Sequence, residues 1–303
     1  MPQPEAAARL YRQVQRLQLV IVAAGRRAWS GMRADFDPSW EQVAPGLVSV
    51  VTAGQLAAAR TAAEYVPAVL DEVSSTVEPD ARVRPQSFAG VAADGRSLPG
   101  LLYGAVARSK AASRGNVTPT RALRVGGDWL DAIVQTVITD AVRQVTQAEV
   151  ATREGVGWVR AVNPPCCGRC AILAGRWYRY NAGFQRHPRC DCFAIPAAED
   201  VAGSLMTSPQ ALFEQGQVKG LTRRERDRLD NGDDLNKVIN ESRDMWRARI
   251  QEQKRADKNG TADAAADPVT RDRQARLGLE DLFASTRSRT EAVAAMRANG
   301  YAD

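Results

Sequence analysis

The sequence is poor in histidine, in aromatic residues and in lysine. Aromatic side chains make up 6% of the 303 residues, and this scarcity, together with abundant alanine, favours helices over a sheet-rich sandwich. The only histidine, His187, leaves an enzyme with a histidine base a single candidate. Five lysines stand among 41 basic residues, so arginine carries nearly all of the positive charge. The net charge of +6 permits contact with nucleic acid but does not require it.

A long apolar run is also missing. The best one, residues 17–24, is much shorter than the roughly 18 apolar residues that a transmembrane helix needs. It follows a mixed-charge segment and lacks a convincing cleavage site, so we expect neither a membrane span nor a secretion signal. Without such a signal, the cysteines are expected to be reduced thiols in a cytoplasmic setting.

Most of the chain has the periodicity of amphipathic helices. Thr118-Pro119 predicts the start of the longest helix, which would run to about Arg153, with a break or bend at Gly126-Gly127. The other elements predicted before it are a helix over the first 30 residues, a helix start at Asp37-Pro38, helical pieces over 53–65, 67–73 and 101–112, and a loop over 78–99.

The second half alternates short strands with charged helices. Residues 158–162 and 176–180 predict two strands of a small hairpin, with a turn over 181–183. The elements predicted after it are a capping box from Thr222 to Glu225, a helix over 233–246, a linker over 255–268, and a helix over 290–298 capped by Thr290 and closed by Asn299-Gly300.

All five cysteines and the histidine lie within the 27 residues from Cys166 to Cys192. Cys167 and Cys170 form a C-x-x-C knuckle, and a second knuckle of His187, Cys190 and Cys192 follows after 16 residues. This spacing is typical of a four-coordinate structural zinc site. Cys167, Cys170 and Cys190 are the firmest predicted ligands, and the fourth is His187 or Cys192. Cys166 is the predicted spare, because adjacent cysteines seldom both reach one ion.

Three alternatives to a structural metal stay open. The knuckles could be joined by a disulfide or hold inert buried thiols. A thiol enzyme could use Cys167 or Cys170 with His187. A nucleic-acid-binding module could use the arginines near the cluster, which interleave with aromatic residues, although those aromatics fit a small core equally well. A zinc deaminase is disfavoured, because the histidine follows the C-x-x-C instead of preceding it.

The cluster resembles a known family. The strings WVR over 158–160, CGRCAILAG over 167–175 and GFQRHPRCDC over 183–192 are similar to the Mu F-like minor head protein domain of tailed bacteriophages. The resemblance covers residues 156–196 and the preceding long helix, about a quarter of the chain. The closing H-P-x-C-x-C distinguishes it from generic zinc ribbons, whereas the extra Cys166 departs from the pattern.

The resemblance implies a structural virion protein and no enzymatic activity. Such a minor capsid protein acts in head morphogenesis at the portal vertex, contacts the portal and other capsid proteins, and accompanies viral DNA. We therefore expect synthesis in the host cytoplasm, a place in the virion, no membrane contact and a structural zinc ion. Some relatives are fused to a capsid maturation protease. This chain has no histidine outside the cluster that a histidine-dependent protease could use, so it fits the form without a protease.

The expected fold is mainly α, with long helices, a small embedded β-hairpin module clamped by the Cys/His cluster, and a flexible C-terminal tail. Four regions are predicted: an N-terminal helical region over 1–115, the Mu F-like core over 116–200, a charged helical segment over 201–250, and a linker with a short helix over 251–303.

Overall fold

A computed structural model describes residues 3–114, 117–187, 190, 192–205, 207–243 and 277–303. The fold is mainly helical with a small sheet, which confirms the predicted fold class. Four long helices form the helical body, and the smaller elements follow it in the chain. The body consists of α1 (Glu5–Trp29), α2 (Phe36–Glu72), α3 (Leu98–Ser113) and α4 (Pro119–Ala151).

The first two helices form an antiparallel pair. The apolar stripe predicted for α1 is confirmed, with Leu10, Val14 and Ile21 buried. The Glu72 carboxylate at the end of α2 accepts hydrogen bonds from the first backbone N–H groups of α1, at 2.6 and 2.9 Å. These N–H groups have no partner within their own helix, so Glu72 caps α1 from a distant part of the chain.

Helix α2 corrects three predictions. It is one continuous helix of 37 residues where separate pieces were predicted, and it begins one residue before Asp37. It is also longer than α4, which has 33 residues. Pro45 and Pro67 both lie inside it. Each proline removes a helical hydrogen bond, and burial of α2 residues such as Val51 and Val66 favours the continuous helix despite that loss.

The length and composition of α2 would also suffice for a membrane crossing, and one third of its most apolar window is buried within the fold. Core helices of soluble proteins can have the same length and apolar composition. It is therefore weak evidence, and the absence of membrane contact stays a prediction.

The glycine pair in α4 marks a close approach and not a break. The helix runs through Gly126 and Gly127 without interruption, so a break at this pair is wrong. A Cβ atom on Gly126 would lie 2.1 Å from the Ser109 Oγ and 2.5 Å from the Ala105 carbonyl oxygen of α3. Only glycine lets the two helices meet at this distance.

The β elements form two small sheets. In the first, β1 (Val156–Ala161) lies between β3 (Trp177–Tyr178) and β4 (Phe193–Ala198), and both pairings are antiparallel. The predicted hairpin of β1 and β3 is confirmed, but β4 was not predicted. In the second, β2 (Cys166–Cys167) pairs in parallel with β5 (Val218–Lys219).

Short helices complete the fold. The capping box of Thr222 and Glu225 is confirmed, whereas Ser288, and not Thr290, caps the last helix. The predicted linker over 255–268, and 244–246 of the predicted helix, lie outside the described residues. The short helices are α5 (Gly168–Ala171), α6 (Glu199–Ala202), α7 (Pro209–Glu214), α8 (Arg223–Asp230), α9 (235–243), α10 (Leu279–Ala284) and α11 (Arg289–Ala298).

Residues 277–303 pack on the rest of the fold. Tyr301 is buried, and its ring centroid lies 5.0 Å from that of Phe88. The Arg84 N–H donates to the Tyr301 carbonyl oxygen at 2.8 Å. Phe283 belongs to the same continuous hydrophobic core as the helical body and the β elements. Residues 277–303 thus contribute to the core of the fold.

Candidate metal centre

The cysteines and the histidine are positioned by the ends of short elements. Cys167 ends β2 and is the N-cap residue of α5, which carries Cys170. His187 lies in the loop after β3, and Cys190 and Cys192 lie just before β4. The elements from β1 to β4, with this loop, are called the Cys/His module below.

The structure brings all five predicted ligand residues together. The Cys170 Sγ is 3.6 Å from both the His187 Nε2 and the Cys190 Sγ, and the Cys167 Sγ is 3.1 Å from the His187 Nε2. Two ligands of a tetrahedral zinc ion are about 3.8 Å apart for two sulfurs and about 3.6 Å for sulfur and nitrogen. The Cys170 distances fit this geometry, and the Cys167–His187 pair would open by about half an ångström.

Cys170 occupies the centre of the cluster. It belongs to two groups of three residues whose ligand atoms lie within 4.8 Å of one another, one with Cys167 and His187, the other with Cys190 and Cys192. The cluster is therefore close enough to bind a metal ion. The ligand atoms of His187 and Cys192 both lie close to the Cys170 Sγ, so the geometry does not select one of them as the fourth ligand.

Cys166 lies outside both groups. It is buried, and its backbone pairs with Val218 of β5. Its position agrees with the role of a spare thiol in a strand.

None of the five cysteines, all of which the structure describes, is in a disulfide bond. The 3.6 Å between the Cys170 and Cys190 sulfurs is far longer than a disulfide bond of about 2.05 Å. The two knuckles are thus adjacent without being covalently joined.

Thiol crowding perturbs the acidity of the cluster. Hydrogen bonding with Cys170 lowers the pKa of the Cys167 thiol to about 4 and also lowers that of Cys190. Hydrogen bonding with Cys167 raises the pKa of Cys170. For Cys192, the hydrogen bond with Cys170 is outweighed by that with Cys190 and by burial, and the pKa rises to about 12. Four thiolates this close would repel one another, so the pKa values of two thiols rise while those of the other two fall, and a bound cation would relieve that repulsion.

A buried arginine of α4 holds the second knuckle. Arg143, 4% exposed, donates to the Cys190 carbonyl oxygen at 2.6 Å and to the Cys192 carbonyl oxygen at 2.8 and 3.0 Å. Asp140, one helical turn earlier, accepts from Arg143 at 2.8 Å and from Arg186 at 2.8 Å. Sequence reasoning missed Arg143, although an arginine beside the apolar stripe of α4 was a signal for it.

The aromatic residues form the core of the Cys/His module. Trp158 is 2% exposed and stacks on Tyr178 and Phe184, with ring centroids 4.4 and 5.1 Å away. Phe184 also lies under the guanidinium groups of Arg143 and Arg160, at 4.9 and 4.3 Å. Trp158 and Phe184 are buried, so they are not available to stack on nucleic-acid bases.

No protein-family model, no curated protein and no solved structure matches the chain.

Proposed function

We propose that this chain is a structural protein of a tailed-phage virion, a Mu F-like minor capsid protein associated with the portal vertex. The main supporting observation is that the cysteines of the C-x-x-C motif lie in one cluster with the histidine and cysteines of the H-P-x-C-x-C motif. This cluster lies beside the long helix α4. This is the part of the sequence in which the resemblance to the family lies. A scaffold with a cross-linked module fits a role in assembly.

The ion that best suits the cluster is zinc. Thiolates and imidazole are donors that Zn²⁺ accepts in a closed tetrahedron, and structural sites are usually built from such sets. The strands of the module have only two to six residues, too few to be stable alone. The role proposed for zinc is therefore to clamp these strands, with Cys167, Cys170 and Cys190 as ligands and His187 or Cys192 as the fourth.

The proposed partners are the portal, other capsid proteins and packaged DNA. The protein would be made in the host cytoplasm and end in the capsid interior or at the portal vertex. It would not act as an enzyme. Exposed arginines of the module, such as Arg169 and Arg176, could contact DNA phosphates without reading sequence.

Co-expression with a portal protein encoded in the same genome tests this proposal. We expect the two proteins to purify together, and heads assembled without the chain to lose infectivity. Portal and heads that form normally, without binding or incorporating the chain, would contradict the proposal. A salt titration against DNA tests the alternative of a stand-alone nucleic-acid-binding module, which predicts tight binding that falls steeply with salt.

One distance favours a second candidate, a thiol enzyme. The Cys167 Sγ and His187 Nε2 are 3.1 Å apart, which suits a thiolate–imidazole pair. Iodoacetamide labelling separates the two candidates. A metal clamp predicts slow labelling of Cys167 that accelerates after chelation, whereas a thiol nucleophile predicts rapid labelling in the protein as purified.

A further inference from the structure

We propose that a cavity beside the Cys/His cluster binds a phosphomonoester group. The cavity has a volume of about 620 Å³, within the range of small-molecule sites of about 300–1,000 Å³. Five arginines line it, and no carboxylate does so among the residues that the structure describes. They are Arg160, Arg169, Arg176, Arg186 and Arg243.

Arg160 gives the strongest indication of a missing anion. The residue is 2% exposed, and its Nε has no hydrogen-bond partner within the described part of the chain. The described residues also include no carboxylate in an ion pair with it. A buried cation is costly unless an anion or hydrogen bonds compensate it. A ligand phosphate in the cavity would supply the compensating charge.

The other arginines converge on the same space from separate elements. Arg186 forms ion pairs with Asp140 at 2.8 Å and with Glu280 at 3.0 Å, which fix its position. Arg169 lies on α5, Arg176 just before β3, and Arg243 on α9. The forked donors of guanidinium groups match phosphate oxygens in pairs. Several such donors around one cavity can share the three free oxygens of a phosphomonoester.

The remaining wall indicates that the ligand also has an organic part. Ile172, Leu173 and Ile239 contribute apolar surface to the cavity. The volume leaves room for more than a phosphate ion. A mononucleotide or the phosphorylated 5′ end of a DNA strand has the required chemistry, and the two sources can be distinguished by experiment.

Thiolates of the Cys/His cluster, instead of a bound phosphate, could balance the positive charge of these arginines. If they alone balance Arg160, the cavity needs no ligand. The proposal is independent of portal binding, so either can fail without the other. The experiments use the full chain loaded with zinc at constant ionic strength.

Calorimetric titrations would compare a nucleoside monophosphate with the nucleoside, and a 5′-phosphorylated oligonucleotide with its 5′-hydroxyl twin. We expect binding only of the phosphorylated member of at least one pair. If only the 5′-phosphorylated oligonucleotide binds, and the nucleoside monophosphate does not, the ligand is the phosphorylated end of a DNA strand. No binding to any probe, or equal binding of both oligonucleotides without nucleotide binding, would overturn the proposal.

The variant Arg176→Ala is expected to weaken binding roughly tenfold, because it removes charge-assisted hydrogen bonds. Its matched control is Arg179→Ala, which removes the same charge from an exposed position of the same module and is not among the residues lining the cavity. Zinc content should be unchanged in both. Equal weakening by the two variants would indicate a general charge effect and overturn the proposal.

Discussion

The helical body and the Cys/His module are held together by different kinds of contact. In the body, apolar side chains such as Leu47, Leu102 and Ile138 are fully buried between long helices. In the module, the buried residues include arginines and cysteines as well as aromatic residues, and the strands are short. A body of this kind is stabilised mainly by apolar burial. The strands of the module have only two to six residues, and the proposed metal clamp would add a cross-link to their burial.

The size of the difference can be estimated. Fully burying one large apolar side chain contributes about 1.5–3 kcal/mol, and the body has many of them. A structural zinc ion contributes about 10–16 kcal/mol in isolated zinc-finger peptides. One ion can therefore replace several core side chains, and its loss should affect the module far more than the body.

The largest expected effect follows the loss of the central ligand. Cys170→Ala should abolish stoichiometric zinc binding and unfold the module, because Cys170 belongs to both ligand groups. Zinc analysis and hydrogen exchange of β1 and β4 would measure this. Its matched control is Cys166→Ala, a buried thiol outside both groups, which should keep zinc at a cost of about 1 kcal/mol. Equal zinc loss in both variants would contradict the assignment.

Arg143→Ala is expected to cost about 3–5 kcal/mol of unfolding free energy, because the carbonyls of Cys190 and Cys192 and the Asp140 carboxylate lose a buried partner. Zinc affinity should fall about 10- to 100-fold, as expected for a residue that orients ligands. Denaturant titration and competition with a chelator measure the two effects. Unchanged zinc affinity would show that Arg143 supports only the fold.

A core substitution in the body should separate stability from metal binding. Leu47→Ala leaves a cavity at a fully buried site and should lower the unfolding free energy by about 2–4 kcal/mol. Zinc stoichiometry and affinity in the folded protein should stay unchanged. A large fall in zinc affinity would show that the body and the module are not separable in this way.

The smallest expected effect is a pH dependence at the surface of the body. Hydrogen bonds first from Lys110, at 2.6 Å, and then from Tyr103 lower the pKa of Asp37. Since the folded-state pKa is depressed, this stabilisation is present above the unfolded pKa and is lost as the pH falls through the folded pKa. Asp37→Asn should therefore cost less than about 1 kcal/mol at neutral pH, because the pair is largely exposed. Its cost should shrink in acid, and a cost independent of pH between 2 and 7 would contradict the argument.

The body was more predictable from sequence than the module. Helical periodicity and the Thr118-Pro119 start are local signals, and they placed α1, α3 and α4 within a few residues. The continuity of α2 through its prolines depends on its neighbours in the fold, and no local signal reports that. For the same reason the role of Gly126 in the close approach of α3 was missed.

In the candidate site, the sequence predicted which residues meet but not what holds them. The clustering of Cys167, Cys170 and His187 followed from spacing, and the distances bring them together. Strand β4, Arg143 and the packing of residues 277–303 all depend on contacts between residues far apart in the chain. Such contacts leave no periodic trace in one sequence.

The most direct test of the central claim is the zinc content of the purified chain and its thermal unfolding with and without a chelator. We expect one zinc ion per chain, and a chelator-induced fall in the melting temperature accompanied by rapid labelling of Cys167 and Cys170. A protein that carries no stoichiometric zinc and melts identically in chelator would contradict a metal-clamped module.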